Sequence, residues 1–198
     1  MSLRVLQIIA ALLAAAVIGL ALFWHPEPVP RALPRAPEPA GGDFTLASAD
    51  GPVSLSAMRG KVVLIYFGYT YCPDICPTAL AAVSDALERL SREELARVSV
   101  LFVSVDPARD TVGHLKEYAA FFHPAILGVT GSEAQITEIA ARYGVYYARQ
   151  PEASGGGYAV DHSSDLHLIA PAGRPAGRLP HGAGPDQIVA EIRRLLEY

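Results

Sequence analysis

The sequence predicts an α/β fold in which a central β-sheet is flanked by helices. From Asp43 onward, short apolar segments alternate with segments of helical periodicity, a pattern typical of strands joined by helical crossover connections. Two of the apolar segments, 61–67 (KVVLIYF) and 98–105 (VSVLFVSV), consist mainly of β-branched, leucine and aromatic residues. Such composition is typical of strands buried on both faces, so we expect these two at the centre of the sheet.

Three helices are predicted around these strands. The first, over 77–90, has an apolar residue at every third or fourth position: Leu80, Val83, Leu87 and Leu90. Asp110 or Thr111 can cap a second helix that extends to about Phe122. Ser132 and Gln135 have the spacing of a capping box for a third helix, which we expect to end before Gly144.

The remaining elements are a short strand, a late strand region and a final helix. The short strand is predicted over 126–129, between the second and third helices. The late strand region is marked by apolar residues on either side of 162, namely Val160, Leu166, Leu168 and Ile169. Apolar positions from Ile188 to Leu196 predict an amphipathic helix at the C-terminus. The small residues over 153–157 (ASGGG) predict a loop before the late strand region.

The N-terminal region has a different composition from the predicted domain over 43–198. Residues 5–24 form an apolar run about 30 Å long if helical, which is long enough to span a bilayer, and we predict a transmembrane anchor over 1–24. Arg4 precedes the run and Arg31 follows only after a gap, which places the domain outside the cytoplasm. A cleaved signal peptide is the alternative. The proline-rich segment 25–42 is predicted to be a semi-rigid linker.

Composition limits the classes of partner. The chain has 198 residues, a formal net charge of -4 and scattered Lys and Arg, which argues against nucleic acid as a partner. Only two cysteines are present, Cys72 and Cys76, so no wider disulfide framework can exist. Their chemistry must involve each other or ligands of another type.

The two cysteines occur at a predicted strand-to-helix turn, within the sequence FGYTYCPDICP. We expect Cys76 near the N-cap of the helix, where free N–H groups and the helix dipole favour a thiolate. The C-x3-C spacing is one residue longer than the redox motif C-x-x-C but can still bring the sulfurs close enough for a disulfide. Metal binding and redox chemistry are both possible uses of this pair.

A third metal ligand is sought among the six histidines, His25, His114, His123, His162, His167 and His181. His162 and His167 lie in or beside the late strand region, whereas the others are predicted on the surface or at the membrane edge. Asp161 could orient the imidazole of His162. Spacing alone does not decide between His162 and His167.

Over 43–198 the sequence resembles the Sco/SenC family of membrane-tethered copper proteins with a thioredoxin-like fold. The resemblance rests on the cysteine motif together with the later blocks VSVDP, RDT, YGVYY and YAVDHS. It implies that the copper ligands are Cys72, Cys76 and His162. It also implies a function in assembly of the CuA centre of cytochrome c oxidase, with the apo CuA site of subunit II and other copper carriers as partners.

The ligand set suits the expected metal. Two thiolates and one imidazole are favourable for Cu(I), and an added ligand would allow the same set to hold Cu(II). No fourth protein ligand for structural zinc is evident. His167 is an extra histidine relative to the family pattern, and we expect it to be a half-buried strand residue that faces away from His162.

Two other activities compete with copper delivery. The cysteine pair could act as a thiol-disulfide oxidoreductase that reduces the CuA-site cysteines or takes part in redox signalling. A thiol peroxidase is a weaker alternative, since Tyr69 stands where peroxiredoxins have a threonine. The preferred prediction is a copper chaperone in the periplasm, without catalytic residues and anchored in the membrane by its N-terminal helix.

Overall fold

The computed structural model describes residues 3–23, 40–151 and 157–197. The chain divides into two compact units, Met1–Arg35 and Ala36–Tyr198. The described part of the first unit is a helix, α1 (Leu3–Phe23). Within the described ranges, no helix combines the length and apolar character required to cross a membrane. The predicted transmembrane anchor over 1–24 is therefore not confirmed, and residues 24–39 of the predicted anchor and linker lie outside the described ranges.

The second unit contains the remaining five helices and nine strands of the described residues. The strands are β1 (Thr45–Ser48), β2 (Gly51–Ser54), β3 (Val62–Gly68), β4 (Val98–Ser104), β5 (Ile126–Val129), β6 (Tyr147–Pro151), β7 (Tyr158–His162), β8 (Leu166–Ile169) and β9 (Pro175–Leu179). The helices are α2 (Ile75–Glu88), α3 (Arg92–Ala96), α4 (Val112–Phe122), α5 (Glu133–Tyr143) and α6 (Pro185–Leu196). A 3₁₀ turn spans Leu55–Met58.

Five strands form the central sheet in the order β5-β4-β3-β8-β9. β3 pairs in parallel with β4, and β4 with β5, while β8 and β9 add antiparallel strands on the other side. All seven residues of β3 are buried. Alternate residues of β3 point to opposite faces of the sheet, so each face of the sheet has its own hydrophobic core.

One core lies beneath α2, α4 and α6 and includes Tyr66, Leu80, Leu115 and Ile192. The other lies beneath α5 and the N-terminal strands and includes Phe67, Leu46 and Ile139. Full burial of a large apolar side chain contributes roughly 1.5–3 kcal/mol. The two layers of helices therefore hold the sheet, and the loop that follows β3, in a fixed position.

The predicted helix caps are present. Thr111 caps α4, accepting a hydrogen bond from His114 N at 3.3 Å. Ser132 and Gln135 form both bonds of a capping box at the start of α5, and α5 ends at Gly144, which has a left-handed φ of 65°. The short helix α3 was not predicted, although its Ser91 and Glu94 also form a capping box.

The late strand region was predicted as one stretch, but it forms two strands in different sheets. Within the described ranges, β7 pairs with β6 alone in an antiparallel hairpin, whereas β8 joins the central sheet next to β3. The residues between them, 163–165, belong to no strand. The predicted loop over 153–157 lies outside the described residues except for Gly157.

Candidate metal centre

Both cysteines lie where β3 leaves the sheet and α2 begins. The helix starts at Ile75 with Asp74 at the N-cap, two residues earlier than the sequence predicts, so Cys76 is in the first turn. Cys76 is fully buried, and Cys72 is half-buried in the preceding loop. The backbone N–H of Cys76 donates to Cys72 Sγ at 3.5 Å. The sulfur that receives an N–H of the first helical turn is therefore that of Cys72.

Gly68, the last residue of β3, leaves space for the Cys76 sulfur. A Cβ atom at this position would lie 2.7 Å from Cys76 Sγ and 2.9 Å from Cε2 of Phe102. Distances this short are incompatible with normal packing of carbon against sulfur or carbon. The site therefore requires glycine here because the sulfur packs against the backbone, a requirement that the sequence analysis did not identify.

His162 reaches the cysteines from the end of β7. Its Nε2 atom lies 3.3 Å from Cys76 Sγ, and its Nδ1 lies 2.9 Å from the carbonyl oxygen of Ser163. A carbonyl can only accept, so Nδ1 carries the proton and the lone pair of Nε2 points toward the sulfurs. Asp161, predicted to orient the imidazole, is exposed, and the backbone of Ser163 provides this contact instead.

The three predicted ligands come together in the structure. One sulfur or nitrogen atom from each of Cys72, Cys76 and His162 lies within 4.8 Å of the others, and no other group of three such side chains occurs in the parts of the chain that the structure describes. Two soft sulfurs and one imidazole nitrogen fit copper, because thiolates favour Cu(I) and imidazole accepts either oxidation state. A closed zinc site would need a fourth ligand.

The two thiols have unequal acidity. A hydrogen bond from the Cys76 thiol holds the pKa of Cys72 well below its usual range, despite the opposing effect of partial burial, and the backbone N–H groups of Asp74 and Cys76 add to the lowering. The same hydrogen bond, together with burial, raises the pKa of Cys76. The sequence predicted that Cys76 would be the favoured thiolate; the structure assigns that character to Cys72, whose sulfur accepts hydrogen bonds from the Cys76 thiol and from the Cys76 backbone N–H.

Two tyrosines form an aromatic wall behind the imidazole. The rings of Tyr66 and Tyr69 contact the ring of His162 edge to face, with centroids 6.2 Å and 5.8 Å away. The Tyr69 hydroxyl also accepts a hydrogen bond from Val160 N at 3.3 Å. On the other side, Cys72, Pro73 and Asp161 line an open pocket. The site is thus packed on one side and accessible on the other.

His167 does not belong to this site. It lies on β8 in the central sheet, and its ring packs edge to face against Phe67 and Tyr143 at centroid distances of 5.5 Å and 5.8 Å. At 4% exposure it is a core residue, so the expectation of a half-buried residue was wrong. Burial lowers the pKa of His167 to about 4, with a smaller contribution from the charge of Arg178.

The other histidines do not belong to the ligand group or lie outside the described residues. His114 on α4 and His181 in the turn before α6 are exposed. His123 ends α4, and its Nδ1 accepts a hydrogen bond from Ala125 N at 3.0 Å. His25 lies outside the described residues.

Fold and site together define a thioredoxin-like protein with a soft-ligand metal centre. Residues 33–197 match the family model described as SCO1/SenC. The chain belongs to the SCO1/SenC family, as its sequence motifs predict.

Individual relatives support this assignment. The chain is 41% identical over 155 residues to "Protein SCO2 homolog, mitochondrial" of Bos taurus, an alignment that covers 77% of this chain and 58% of the relative. The chain thus spans less than two thirds of that relative's length. The crystal structure of Arabidopsis thaliana ScoI with copper bound superposes with a TM-score of 0.74 at 35% identity, covering 80% of this chain and 99% of the relative.

A third relative is BsSco, whose structure is described as identifying a disulfide switch in a member of the Sco family of cytochrome c oxidase assembly proteins. It is 27% identical, has a TM-score of 0.65, and the match covers 84% of this chain and 99% of the relative. Copper binding and a disulfide switch are thus both found among proteins that share this fold.

Proposed function

We propose that this protein is a copper chaperone that holds copper through Cys72, Cys76 and His162 and delivers it to the CuA site of cytochrome c oxidase subunit II. Other copper carriers would supply the metal. The observation that carries the proposal is the convergence of two sulfurs and the unprotonated Nε2 of His162 within 4.8 Å. The choice of copper is supported by a similar plant protein that was solved with copper bound. The choice of the oxidase as acceptor is supported by the description of Sco proteins as cytochrome c oxidase assembly proteins.

The exposure of the ligands suits transfer rather than permanent storage. Cys76 is buried, but Cys72 and His162 are each half-buried and face the open pocket. An incoming cysteine of an acceptor can therefore replace Cys72 or His162 while Cys76 still holds the metal. Cu(I) permits stepwise ligand exchange of this kind because it tolerates low coordination numbers. Free copper is therefore not released during the transfer.

The test is transfer between purified proteins. The copper-loaded full chain in detergent is mixed with metal-free oxidase subunit II, and the CuA absorption bands are followed as copper appears in the acceptor. Cys72→Ser and Cys76→Ser should bind and transfer little copper, while His181→Ala, which replaces an exposed histidine outside the ligand group, should behave as wild type. A wild-type protein that binds copper but never yields it to the acceptor would refute the delivery function.

Thiol-disulfide exchange is the second candidate function. Its supporting observation is that both cysteines are free thiols with unequal acidity, in a loop where Cys72 can attack and Cys76 can resolve. In the reaction, the Cys72 thiolate attacks a disulfide of the partner, and Cys76 then displaces the partner's second thiol. The partner is reduced by two electrons and this chain gains the Cys72 to Cys76 disulfide.

The two functions are separated by metal-free subunit II with an oxidised CuA-site disulfide. Reduction of that disulfide by the reduced, copper-free chain, and by its His162→Ala variant equally well, would support the redox function. Copper transfer should instead depend on His162. If copper is delivered but no thiol exchange occurs, only the chaperone function is supported.

Location outside the cytoplasm is a further part of the proposal. The charge bias around Arg4 and Arg31 favours a periplasmic domain tethered by the N-terminal segment. Protease added to spheroplasts should remove the domain while cytoplasmic markers remain intact. Full protection, with digestion only after lysis, would place the domain on the opposite side.

A further inference from the structure

The hairpin that carries His162 lies outside the central sheet. Among the described residues, β6 and β7 pair only with each other. Cys72 and Cys76, in contrast, lie in the loop and helix that follow the central strand β3 directly. The strand pairing of the main sheet resumes only at Leu166, four residues after His162, so side-chain contacts between β7 and the cysteine loop help to set the distance between His162 and the sulfurs.

The loop between β4 and α4 supplies such contacts through Arg109 and Asp106. Arg109 Nε donates to Asp106 Oδ2 at 2.5 Å, and Arg109 Nη1 donates to the carbonyl oxygen of Tyr158 at 2.8 Å. The Tyr158 hydroxyl donates to the other oxygen of Asp106 at 2.7 Å. Because Tyr158 begins β7, this pair holds the start of the strand that ends at His162.

The same guanidinium also contacts the cysteine loop. Its Cζ atom lies 3.8 Å from the ring centre of Tyr158, 5.0 Å from that of Tyr71 and 5.5 Å from that of Tyr69. Tyr69 and Tyr71 precede Cys72. Arg109 Nη2 is buried without a hydrogen-bond partner in the described residues, and the aromatic faces provide favourable contacts for this part of the cation. The side chain of Arg109 thus connects β7, which carries His162, to the loop that carries Cys72.

The segment that carries Arg109 is held in place by two buried carboxylates. Asp106 is 0% and Asp110 is 1% exposed. The carboxylate of Asp110 accepts hydrogen bonds from Thr70 N at 3.1 Å, Thr70 Oγ1 at 2.5 Å and Ser104 Oγ at 2.6 Å. Buried, fully bonded carboxylates resist displacement, so Arg109 projects from a segment already fixed to the cysteine loop.

We propose that Arg109 is a positioning residue that holds His162 at the distance where its imidazole can complete the copper site. The inference rests on the proposed copper-binding function of Cys72, Cys76 and His162. Cys72 lies in the loop after β3 and Cys76 in the first turn of α2, and Asp110 bonds this loop through Thr70 without the help of Arg109. Loss of Arg109 therefore affects the position of His162 more than that of the sulfurs.

Arg109→Lys is the informative variant, and Arg149→Lys is its matched control. Lysine keeps a positive charge beside the buried Asp106, which favours folding, but its compact ammonium cannot reproduce the planar contacts to Asp106, the Tyr158 backbone and three rings. Arg149 also lies near Asp106, at 3.9 Å, and its Cζ lies 5.4 Å from the ring centre of Tyr158, but it is 43% exposed and makes no hydrogen bond to the Tyr158 backbone among the described residues. Both variants replace a guanidinium near Asp106, but only Arg109→Lys removes the bond to the Tyr158 carbonyl.

Copper affinities are measured on the full chain with competing chelators of known affinity. For Arg109→Lys we expect Cu(II) affinity to fall by about 10- to 100-fold, as for other residues that orient a metal ligand, with Cu(I) affinity within about threefold of wild type. In Cu(II) spectra, the nitrogen hyperfine signal of the imidazole should weaken. Arg149→Lys should match wild type. In a His162→Ala background, Arg109→Lys should cause no further loss, since its effect acts through that histidine.

A metal-free measurement separates failure of this inference from failure of the copper function. Amide hydrogen exchange over β7 should be faster in Arg109→Lys than in Arg149→Lys, while exchange over β3 is unchanged. Tyr158→Phe, which loses only the hydroxyl bond to Asp106, should give a smaller effect of the same kind. Unchanged β7 exchange with full Cu(II) affinity would overturn the positioning function, as would equal loss of Cu(I) and Cu(II). A wild-type protein that binds no copper, with β7 exchange as expected, would refute the copper function alone.

Discussion

His162 Nε2 lies 3.3 Å from Cys76 Sγ although the two residues are 86 positions apart in the chain. The sulfur comes from the first turn of α2 and the nitrogen from the last residue of β7, so the two meet only when the hairpin is folded against the cysteine loop. The Nδ1 contact to Ser163 fixes which nitrogen faces the sulfur. The site therefore consists of a local sulfur pair completed by a distant imidazole.

His162→Ala should separate the two copper oxidation states. Removing a direct ligand should reduce Cu(II) affinity by more than the roughly 10- to 100-fold that outer contacts contribute, because Cu(II) depends on nitrogen donors more than Cu(I) does. Cu(I) should remain bound by the two sulfurs. Chelator competition for both ions measures this, with His181→Ala as the control. If Cu(II) binding is unchanged in His162→Ala, another residue is the third ligand.

Gly68→Ala should damage the site without removing any ligand. The added Cβ would lie 2.7 Å from Cys76 Sγ, so the sulfur or the strand must shift, at a cost of about 1–3 kcal/mol in the free energy of unfolding. Both Cu(I) and Cu(II) should bind more weakly, unlike in His162→Ala.

Gly113→Ala is the control for this substitution. Gly113 is a helical glycine with no atom within 4 Å of an added Cβ, so alanine there should leave copper binding intact and stabilise the fold by roughly 0.4–1 kcal/mol. Chemical denaturation and copper titration of both variants provide the comparison. Wild-type copper affinity in Gly68→Ala would show that the close packing at Cys76 is not needed.

Local patterns predicted most of the secondary structure because their causes are local. The strand over 126–129 and the caps at Thr111 and Ser132 follow from nearby side chains, and all three are present. The β6 to β7 hairpin was not predicted because β6 has no clear alternation, and its pairing spans the segment 152–156. This hairpin places His162 and His167 in different sheets, which the periodicity of side chains along the sequence cannot predict.

The site was only partly predictable for a similar reason. The C-x3-C motif identified both cysteines, but residue spacing left His162 and His167 as equal candidates until the family resemblance favoured His162. The need for glycine at position 68 depends partly on contact with Phe102 of another strand. The contacts of Arg109 likewise depend on Tyr158, which lies far away in the chain. The motif RDT was visible in the sequence, but its packing against Tyr158 was not.

Cys72 should be the reactive thiol of the metal-free protein at acid pH. Its pKa is lowered mainly by the hydrogen bond from Cys76, so its thiolate persists below the pH at which an ordinary cysteine is protonated. Iodoacetamide at pH 5, followed by peptide mass spectrometry, should label Cys72 well before Cys76. Cys76→Ala should slow this labelling, because alanine donates no hydrogen bond to the Cys72 sulfur. Copper should protect Cys72. Preferential labelling of Cys76 would reverse the assignment.

His167 should make the metal-free protein less stable in mild acid. Burial lowers its pKa from 6.5 to about 4, so the unfolded chain binds a proton below about pH 6.5 while the folded chain binds it only near pH 4. Above pH 6.5 both states are neutral and the effect is absent. As pH falls from 6.5 to 4, the free energy of unfolding should decrease by as much as about 3 kcal/mol from this residue.

The variant that tests this is His167→Phe, which keeps an aromatic ring between Phe67 and Tyr143 but has no group to titrate. Urea denaturation of both proteins at pH 7.5, 6, 5 and 4.5 gives the difference in unfolding free energy at each pH. The difference should grow in favour of the variant as the pH falls, because only the wild type loses the histidine contribution. A constant difference between His167→Phe and wild type across this range would mean that His167 is protonated equally in the folded and unfolded states.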